Sequence, residues 1–409
     1  MFISRKLIKG HPYKSSISSP IIKIAISAIA IGIVMMLIAI GTGLGLQQHI
    51  RDKIAAFNGH IQVLNFDQNN SNVSLYPIDL QQEFYLNPNL IKGVEHVQAV
   101  ILKAGVIRTS ETFEGIIAKG VGTDFNWELF KEMLVDGSLP DYRDDLSNEV
   151  LVSSTLAKAL NIGVGDQLSS FFLKEASDYS LPNQRKFKVS GIYESGFDEF
   201  DKSYVIVDIR QLQRINRWNS NQVGLFEVFI DDFDQLDTFA DVIYEQTSSQ
   251  LDVRTIKDRF YTIFEWIELF DFNIALIIGI MILVGGINII TALLVLVLEK
   301  TNMIGILKAL GATDWTIRKI FIYQSIYLIL RGVFWGNLIG LTLLGLQYNF
   351  RWLKFPNPEE YYMSYVPVTI SLSTVFFLNS GLILVCLAML LIPSYVVTKI
   401  SVITSIKFD

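Results

Sequence analysis

Cysteine is almost absent. Cys386 is the single thiol in 409 residues, which excludes an intrachain disulfide framework and any zinc site built on cysteines. Histidine is scarce as well, and His11, His49, His60 and His96 are too scattered to form a metal cluster. Walker A loops, zinc-helix motifs and nucleophile elbows are missing too, so the sequence offers no catalytic residue, no metal ligand and no ATPase site of its own. No directly bound cofactor is expected. Charge is thin: 18% of residues are charged against 51% hydrophobic, with a mean hydropathy of +0.38. That balance is too apolar for an ordinary soluble enzyme or a disordered chain. The net charge of -6 gives no reason to expect a nucleic-acid partner.

Acid is missing from Met1 to Leu46, which carries five bases. Gln47 to Phe270 carries 34 acids against 20 bases, and Asp271 to Asp409 carries six against nine. The acidic block has no long apolar run, whereas four such runs lie outside it: Ile24 to Leu46, Phe272 to Leu298, Ile320 to Leu346 and Val368 to Ile392. Each can cross a bilayer as a helix, since about 20 residues rising about 1.5 Å each cover a core of about 30 Å. Lys and Arg concentrate before the first run, between the second and third, and after the fourth, which puts these segments in the cytoplasm and the acidic block outside.

The expected organisation is an N-terminal cytoplasmic segment at 1–23, membrane helices at 24–46, 271–298, 320–346 and 368–392, and an external domain with its stalk at 47–270. A cytoplasmic loop at 299–319, a short outer loop at 347–367 and a cytoplasmic tail at 393–409 complete it, with both termini cytoplasmic. The first run exceeds a signal-peptide core of about 7 to 15 residues and reads as a signal anchor. Ahead of it, Phe2, Ile3, Leu7 and Ile8 alternate with Arg5, Lys6 and Lys9. That pattern suits a helix on the anionic inner leaflet, or a basic flank that only sets topology.

The external block reads as mixed α/β. Strands are predicted at His60 to Leu64, Gly115 to Lys119, Phe187 to Val189, Tyr204 to Val207 and Glu227 to Ile230, with helices at Ser153 to Leu160 and Asp234 to Gln246. Asn161 to Asp166 reads as a turn followed by a strand at Gln167 to Leu173, and Lys174 to Lys186 as an exposed loop. Three acid clusters, Asp144-Asp145, Asp198 to Asp201 and Asp231 to Asp234, lack the spacing of a calcium loop and read as solvated turns. From Ile256 onward an apolar pattern through Phe260, Ile263, Phe264, Ile267 and Phe270 predicts one helix running unbroken into the second membrane span, a lever between domain and membrane.

The loop from Glu299 to Asp314 carries more apolar residues than a connector needs: Met303, Ile304, Ile306, Leu307 and Leu310. A short helix lying across the membrane face fits, ended by Gly311 as a C-terminal cap. Here the chain resembles the FtsX-like ABC transporter permeases, whose loop typically runs EIGILKALGA, close to Ile304 through Ala312. Gly45 through Val63 resembles the LolC/LolE subfamily of lipoprotein-releasing systems. Leu151 to Leu168 is similar to that group's ELAxxLGLxVGD element, and Pro182 to Gly196 to the segment after its hook loop.

The resemblance implies an α-helical membrane protein of four transmembrane helices, with a mixed α/β, MacB-like periplasmic core domain inserted between the first two, in a bacterial inner membrane. It implies a separate LolD-type ATPase dimer that binds ATP and Mg and receives a coupling helix made of Glu299, Met303, Ile304, Gly305, Leu307, Lys308, Leu310 and Gly311. Asn302-Met303 replaces the family's usual Arg-Glu. It further implies a second copy or related permease subunit, an apolar cavity for the acyl chains of a lipoprotein substrate, and contact with membrane lipid. Met36, Ile40 and Leu44 of the first span and Phe264, Ile267, Phe270 and Ile274 of the second are the candidate cavity residues. Each buried methylene is worth about 0.8 kcal/mol, so extracting several long chains requires an energy source. Tyr179, Leu181, Pro182, Gln184 and Arg185 would form a hook for a LolA-type periplasmic carrier. A MacB-like efflux permease and an FtsX-like subunit signalling to cell-wall hydrolases are the alternatives.

Two features of the third run stand apart. Gly332, Gly336 and Gly340 recur every four residues and suit close helix packing or dimerisation. Arg331 has no acid inside the spans to pair with, so a lipid headgroup or a partner-chain group is its expected counterpart.

Overall fold

A computed structural model describes residues 18–68, 71–88, 91–143, 145–172, 182–356, 363 and 365–391. The N-terminal segment 1–17, Asp144, hook residues Tyr179 and Leu181, and the tail at 393–409 lie outside them. The helices, in chain order, are α1 (Ser18–Asn58), α2 (Ser154–Leu160), α3 (Ile209–Asn216), α4 (Leu236–Glu245), α5 (Ile256–Arg259), α6 (Tyr261–Glu299), α7 (Thr301–Ala309), α8 (Asp314–Phe350) and α9 (Leu372–Met389), with single turns at Glu83–Leu86, Glu128–Lys131 and Asp198–Asp201. The chain forms two units, one of residues 1–48, 266–354 and 365–409, the other of residues 49–265 and 355–364.

In the first unit α1, α6, α8 and α9 are long and apolar enough to cross a membrane. Their sequences are apolar on every side, as helices facing both neighbours and lipid must be. The glycine stripe decides how α1 and α8 pack. A Cβ at Gly332, Gly336 or Gly340 would stand 2.6, 2.7 or 2.8 Å from the side chains of Ile29, Ile33 and Leu37 respectively. Only hydrogen fits there, and because both series ascend together the two helices run parallel. Thus the stripe joins two helices of one chain. Asn337 and Asn379 exchange amide hydrogen bonds of 2.8 and 3.0 Å between α8 and α9, and each also donates to a carbonyl of its own helix. No polar amide group of this pair is left unmatched in an apolar setting, where it would be costly. Gln47 of α1 donates to Asp271 at 2.8 Å and to the Ile267 carbonyl at 3.3 Å, joining α1 to α6.

The second unit is built on strands β1 (Ile61–Asn65), β2 (Ile78–Asp79), β3 (Val94–Arg108), β4 (Phe113–Val121), β5 (Leu134–Gly137), β6 (Glu149–Ser153), β7 (Gln167–Phe172), β8 (Asn183–Tyr193), β9 (Tyr204–Asp208), β10 (Gln222–Val223), β11 (Leu225–Ile230) and β12 (Leu251–Thr255). Apart from a small β2–β10 pair, they form one mixed sheet in the order β12-β1-β11-β3-β4-β9-β6-β8-β5, and β7 pairs with both β3 and β8. The pairings β3-β4-β9-β6-β8-β7 therefore return to β3 and close a ring. Closure is possible because β3 is long: Val94 to Val100 pairs with β11, while Gly105 to Arg108 pairs with β7. Inward residues such as Ile107, Val152, Phe172, Val189 and Val207 fill the core together with Leu156 and Leu212 from α2 and α3. Ser153 caps α2 by accepting from Leu156 N–H, and Asn161 ends it in the left-handed region at φ 52°.

Three sequence expectations change. The unbroken helix from Ile256 is interrupted: Thr255 and Asp258 form a capping box that starts α5, Phe260 leaves the helical region at ψ 38°, and α6 restarts at Tyr261. The periodicity missed this because helical spacing of apolar residues carries no sign of a backbone break such as the one at Phe260. The exposed loop is shorter than expected, since Gln184 and Arg185 lie on β8, paired with Phe171 and Ser170 of β7. Asp201 is not solvated: it is buried and accepts from the N–H of Ser195 and Gly196 and from the Ser195 hydroxyl. Burial raises its pKa against the pull of those hydrogen bonds.

Gly336→Ala adds a methyl 2.7 Å from the Ile33 Cβ and 2.9 Å from the Ala30 carbonyl oxygen. It is expected to cost about 1–3 kcal/mol and lower the thermal midpoint of the detergent-solubilised chain. Gly345→Ala, which enters open space in the same helix, is expected to leave the midpoint unchanged or raise it slightly.

Candidate functional site

The last turns of α1 end inside the sheet unit. Phe57 stacks on Phe200 with centroids 4.4 Å apart and meets Phe130, Tyr193 and Tyr204 at 5.0, 5.7 and 6.2 Å. These rings make a socket of edge and face contacts, each worth about 0.5–1.5 kcal/mol beyond the area buried. Helix termini leave carbonyls without partners, and here a charge answers one of them. Lys119 of β4 donates to the Phe57 carbonyl at 2.7 Å and to both carboxylate oxygens of Glu227 on β11 at 2.7 and 2.8 Å. Gln98 of β3 donates to Glu227 at 2.8 Å and accepts from Asn126 N–H at 2.9 Å. Burial lowers the lysine's pKa and Glu227 opposes that shift; with three acceptors arranged around it, the ammonium form is the one the site is built to hold.

The chain leaves α1 through Gly59 at φ 66°, where a Cβ would stand 2.9 Å from that of Glu227. Glycine alone meets both the left-handed conformation and the close approach. His60 follows, its Nδ1 accepting from Ile230 N–H at 3.0 Å, and burial lowers its pKa to about 4. Lys53, one turn before Phe57, donates to the Ser195 carbonyl at 2.5 Å. The segment leading to α6 reaches the same core, because Phe260 lies 5.8 Å from Phe200 and Arg259 donates to Gln62 at 2.7 Å. Phe233 completes the site: Arg51 of α1 stands 4.5 Å above its ring and Phe264 of α6 stacks on it at 5.8 Å.

In the membrane unit, α7 is closed at its C-terminus by a paired motif. Gly311, at φ 91°, donates to the Lys308 carbonyl at 3.0 Å, and Ala312 N–H to the Leu307 carbonyl at 2.9 Å. Thr313 then caps α8, and Lys308 pairs with Asp314 at 2.9 Å. Ile304 is fully buried in one apolar cluster with Val297, Ile317 and Phe321, and Met303 packs against it. Gly305 is buried and Leu307 half-buried, while Glu299 and Gly311 are exposed. Ile306, Leu310 and Trp315, on α7 and just after it, are in the open at 56%, 78% and 56% exposure, as is Leu298 before it. Ile304, expected on a partner-facing surface, thus faces its own bundle. Ile306 was counted among the apolar residues of this loop in the sequence, whereas Trp315, which lies beyond the Gly311 break on α8, was not singled out.

Of the expected cavity residues, Met36, Ile40 and Ile267 are buried in the membrane unit, and Leu44, Phe270 and Ile274 are half-buried. Ile274 closes on α1, where a Cβ at Gly43 would stand 2.4 Å from its Cδ1. Phe264 belongs to the sheet unit, against Phe233. Of the expected hook, Pro182 and Gln184 are exposed and Arg185 is half-buried. Among the described residues no group of three or more His, Cys, Asp or Glu is placed to hold a metal ion.

Residues 24–246, more than half of the chain, match the family described as MacB-like periplasmic core domain, and residues 275–402 match FtsX-like permease C-terminal. The chain is an FtsX-like permease with a MacB-like periplasmic core domain. This permease is similar to the "Lipoprotein-releasing system transmembrane protein LolC" of Haemophilus influenzae, at 25% identity over 290 residues covering 70% of this chain and 68% of that one. Its likeness to the LolC of Buchnera aphidicola subsp. Schizaphis graminum is 23% over 397 residues, covering 95% and 94%. Against "Lipoprotein-releasing system transmembrane protein LolE" of Haemophilus influenzae it is 22% over 368 residues, covering 84% and 81%.

Two outcomes test the socket of this permease. Lys119→Met, which leaves Glu227 buried without a counter-charge, is expected to cost about 3–5 kcal/mol in denaturant unfolding of the full chain; the double variant Lys119→Met with Glu227→Leu is expected to recover much of that. The neutral His60 also makes stability fall with acid. The unfolded chain takes up a proton below its ordinary value of 6.5 and the folded one only near 4. The loss therefore opens at about pH 6.5 and reaches up to about 3 kcal/mol near pH 4. A flattened pH profile in His60→Asn is the check.

Proposed function

We propose that this permease is the membrane subunit of an ATP-driven system that extracts lipoproteins from the outer leaflet of the inner membrane and hands them to a soluble periplasmic carrier. The observation that carries the reading is the socket: the helix that crosses the membrane first ends with Phe57 gripped by four aromatic rings and its carbonyl held by a buried ammonium. A helix end so fixed passes movement of the span into the domain. The names of the LolC and LolE relatives support lipoprotein as the cargo, and extraction of acyl chains is a task whose energy cost calls for a mechanical drive.

In this reading both termini are cytoplasmic, which the distribution of Lys and Arg supports. The exposed Ile306, Leu310 and Trp315, with Met303, Leu307 and Lys308 behind them, dock on a separate ATPase dimer that binds ATP and Mg. Leu44, Phe270 and Ile274 border the path of the acyl chains, and Met36, Ile40 and Ile267 join it when the helices part. The segment around Pro182, Gln184 and Arg185 meets the carrier. A second copy, or a related permease subunit, completes the transporter.

The experiment is reconstitution of the permease with its partner ATPase in vesicles containing an acylated protein, with carrier outside. ATP-dependent transfer to the carrier is expected, and Phe57→Ala is expected to reduce it at least about tenfold while ATPase docking persists. Activation of a cell-wall hydrolase, or export of a small amphiphile, without any transfer of acylated protein would sink the proposal.

A further inference from the structure

Arg331 is the single charged residue between Lys319 and Arg351. Measured from Ile320, where the apolar run begins, it lies about 16 Å along the helix, a costly depth for a cation facing lipid. The packing of α8 on α1 gives a different depth. Gly332, Gly336 and Gly340 stand opposite Ile29, Ile33 and Leu37 in parallel register, so Tyr327 is level with Ile24 and Arg331 with Ala28. Ile24 is where the apolar run of α1 starts, immediately after Lys23. Arg331 therefore enters the apolar layer by only one turn, about 6 Å.

Its side chain also turns back toward that boundary, as helical side chains lean toward the N-terminus. The guanidinium carbon stands 4.5 Å over the Tyr327 ring. The charge thus sits at the level of Tyr327, where α1 carries the exposed Lys23, and Tyr323 is exposed one turn further out. Arg331 itself is exposed, and among the described residues it makes no ion pair. The apolar runs of a second copy hold no acid that could meet it.

We propose that Arg331, stacked on Tyr327 and with Lys23 at the same depth, binds the phosphate of an anionic phospholipid in the leaflet that meets the first turns of α8. A guanidinium presents a planar fork of donors that fits two phosphate oxygens at once, and the ring beneath it holds the fork in place. The site rests on the membrane-spanning reading of α1 and α8 and stands whether or not the cargo is a lipoprotein.

The test uses the full chain alone, in nanodiscs of mixed phosphatidylglycerol and phosphatidylcholine, with retained lipid counted by native mass spectrometry. The unaltered chain is expected to retain phosphatidylglycerol preferentially. Arg331→Leu is expected to lower that preference about fivefold, and Arg331→Lys to keep part of it. Because Arg331→Leu could disturb folding, Arg331→Gln is read in parallel, and both are compared only as monodisperse material. A photoreactive group in place of Tyr327 is expected to label lipid. Equal retention by the unaltered chain and Arg331→Gln, or labelling of a second copy of the chain in place of lipid, would overturn the proposal.

Discussion

Opposite charges taken out of water must hold each other within hydrogen-bond distance, and Lys119 and Glu227 do so at the point where α1 ends. Desolvating an ammonium costs several kcal/mol, which a single carboxylate seldom offsets. Here the lysine also takes the Phe57 carbonyl, and the carboxylate also takes the amide of Gln98. The arrangement works only when β3, β4, β11 and the last turn of α1 are all in place. A stretch of membrane helix is thereby written into the core of the sheet unit. Gly59, the aromatic socket and the turn around Ser195 and Asp201 are arranged about that junction.

The membrane unit solves a related problem without charge. Apolar helices in lipid gain little from the hydrophobic effect on meeting each other, so shape and satisfied polar groups decide which faces join. Three glycines let α8 lie against α1, a reciprocal asparagine pair ties α9 to α8, and Gln47 ties α1 to α6. These contacts fix rotation of each helix about its axis, and hence which residues look outward. On α7, Ile304 is enclosed by Val297, Ile317 and Phe321 while Ile306, two positions on, is open.

Much of this was legible in the sequence. The four apolar runs, the acidic block between the first two and the cap at Gly311 could be read directly, because helix length, charge and a glycine after a periodic run are local signals. Strands such as β9 and β11 were readable from their β-branched and aromatic residues. Closure of the ring was not, since it depends on β3 serving three neighbours along its length. The ion pair was hidden as well: Lys119 and Glu227 are 108 residues apart and look like ordinary surface charges. Asp201 was misread for the same reason, its burial being decided by Ser195 and Gly196 rather than by the acids beside it. Of the expected cavity, the sequence supplied apolar residues at helical spacing, but which of them face a neighbouring helix is settled only by packing.

The two segments that connect membrane and sheet are not alike. One is helical without interruption to Asn58, whereas the other gives up helical geometry at Phe260 and resumes it one residue later. An uninterrupted helix is stiff in torsion, so turning one end turns the other. A break at one residue concentrates compliance there: tension passes through it, but rotation is absorbed by a single pair of dihedral angles. The first connection is therefore stiff in torsion along its whole length, while the second gathers its torsional freedom at Phe260.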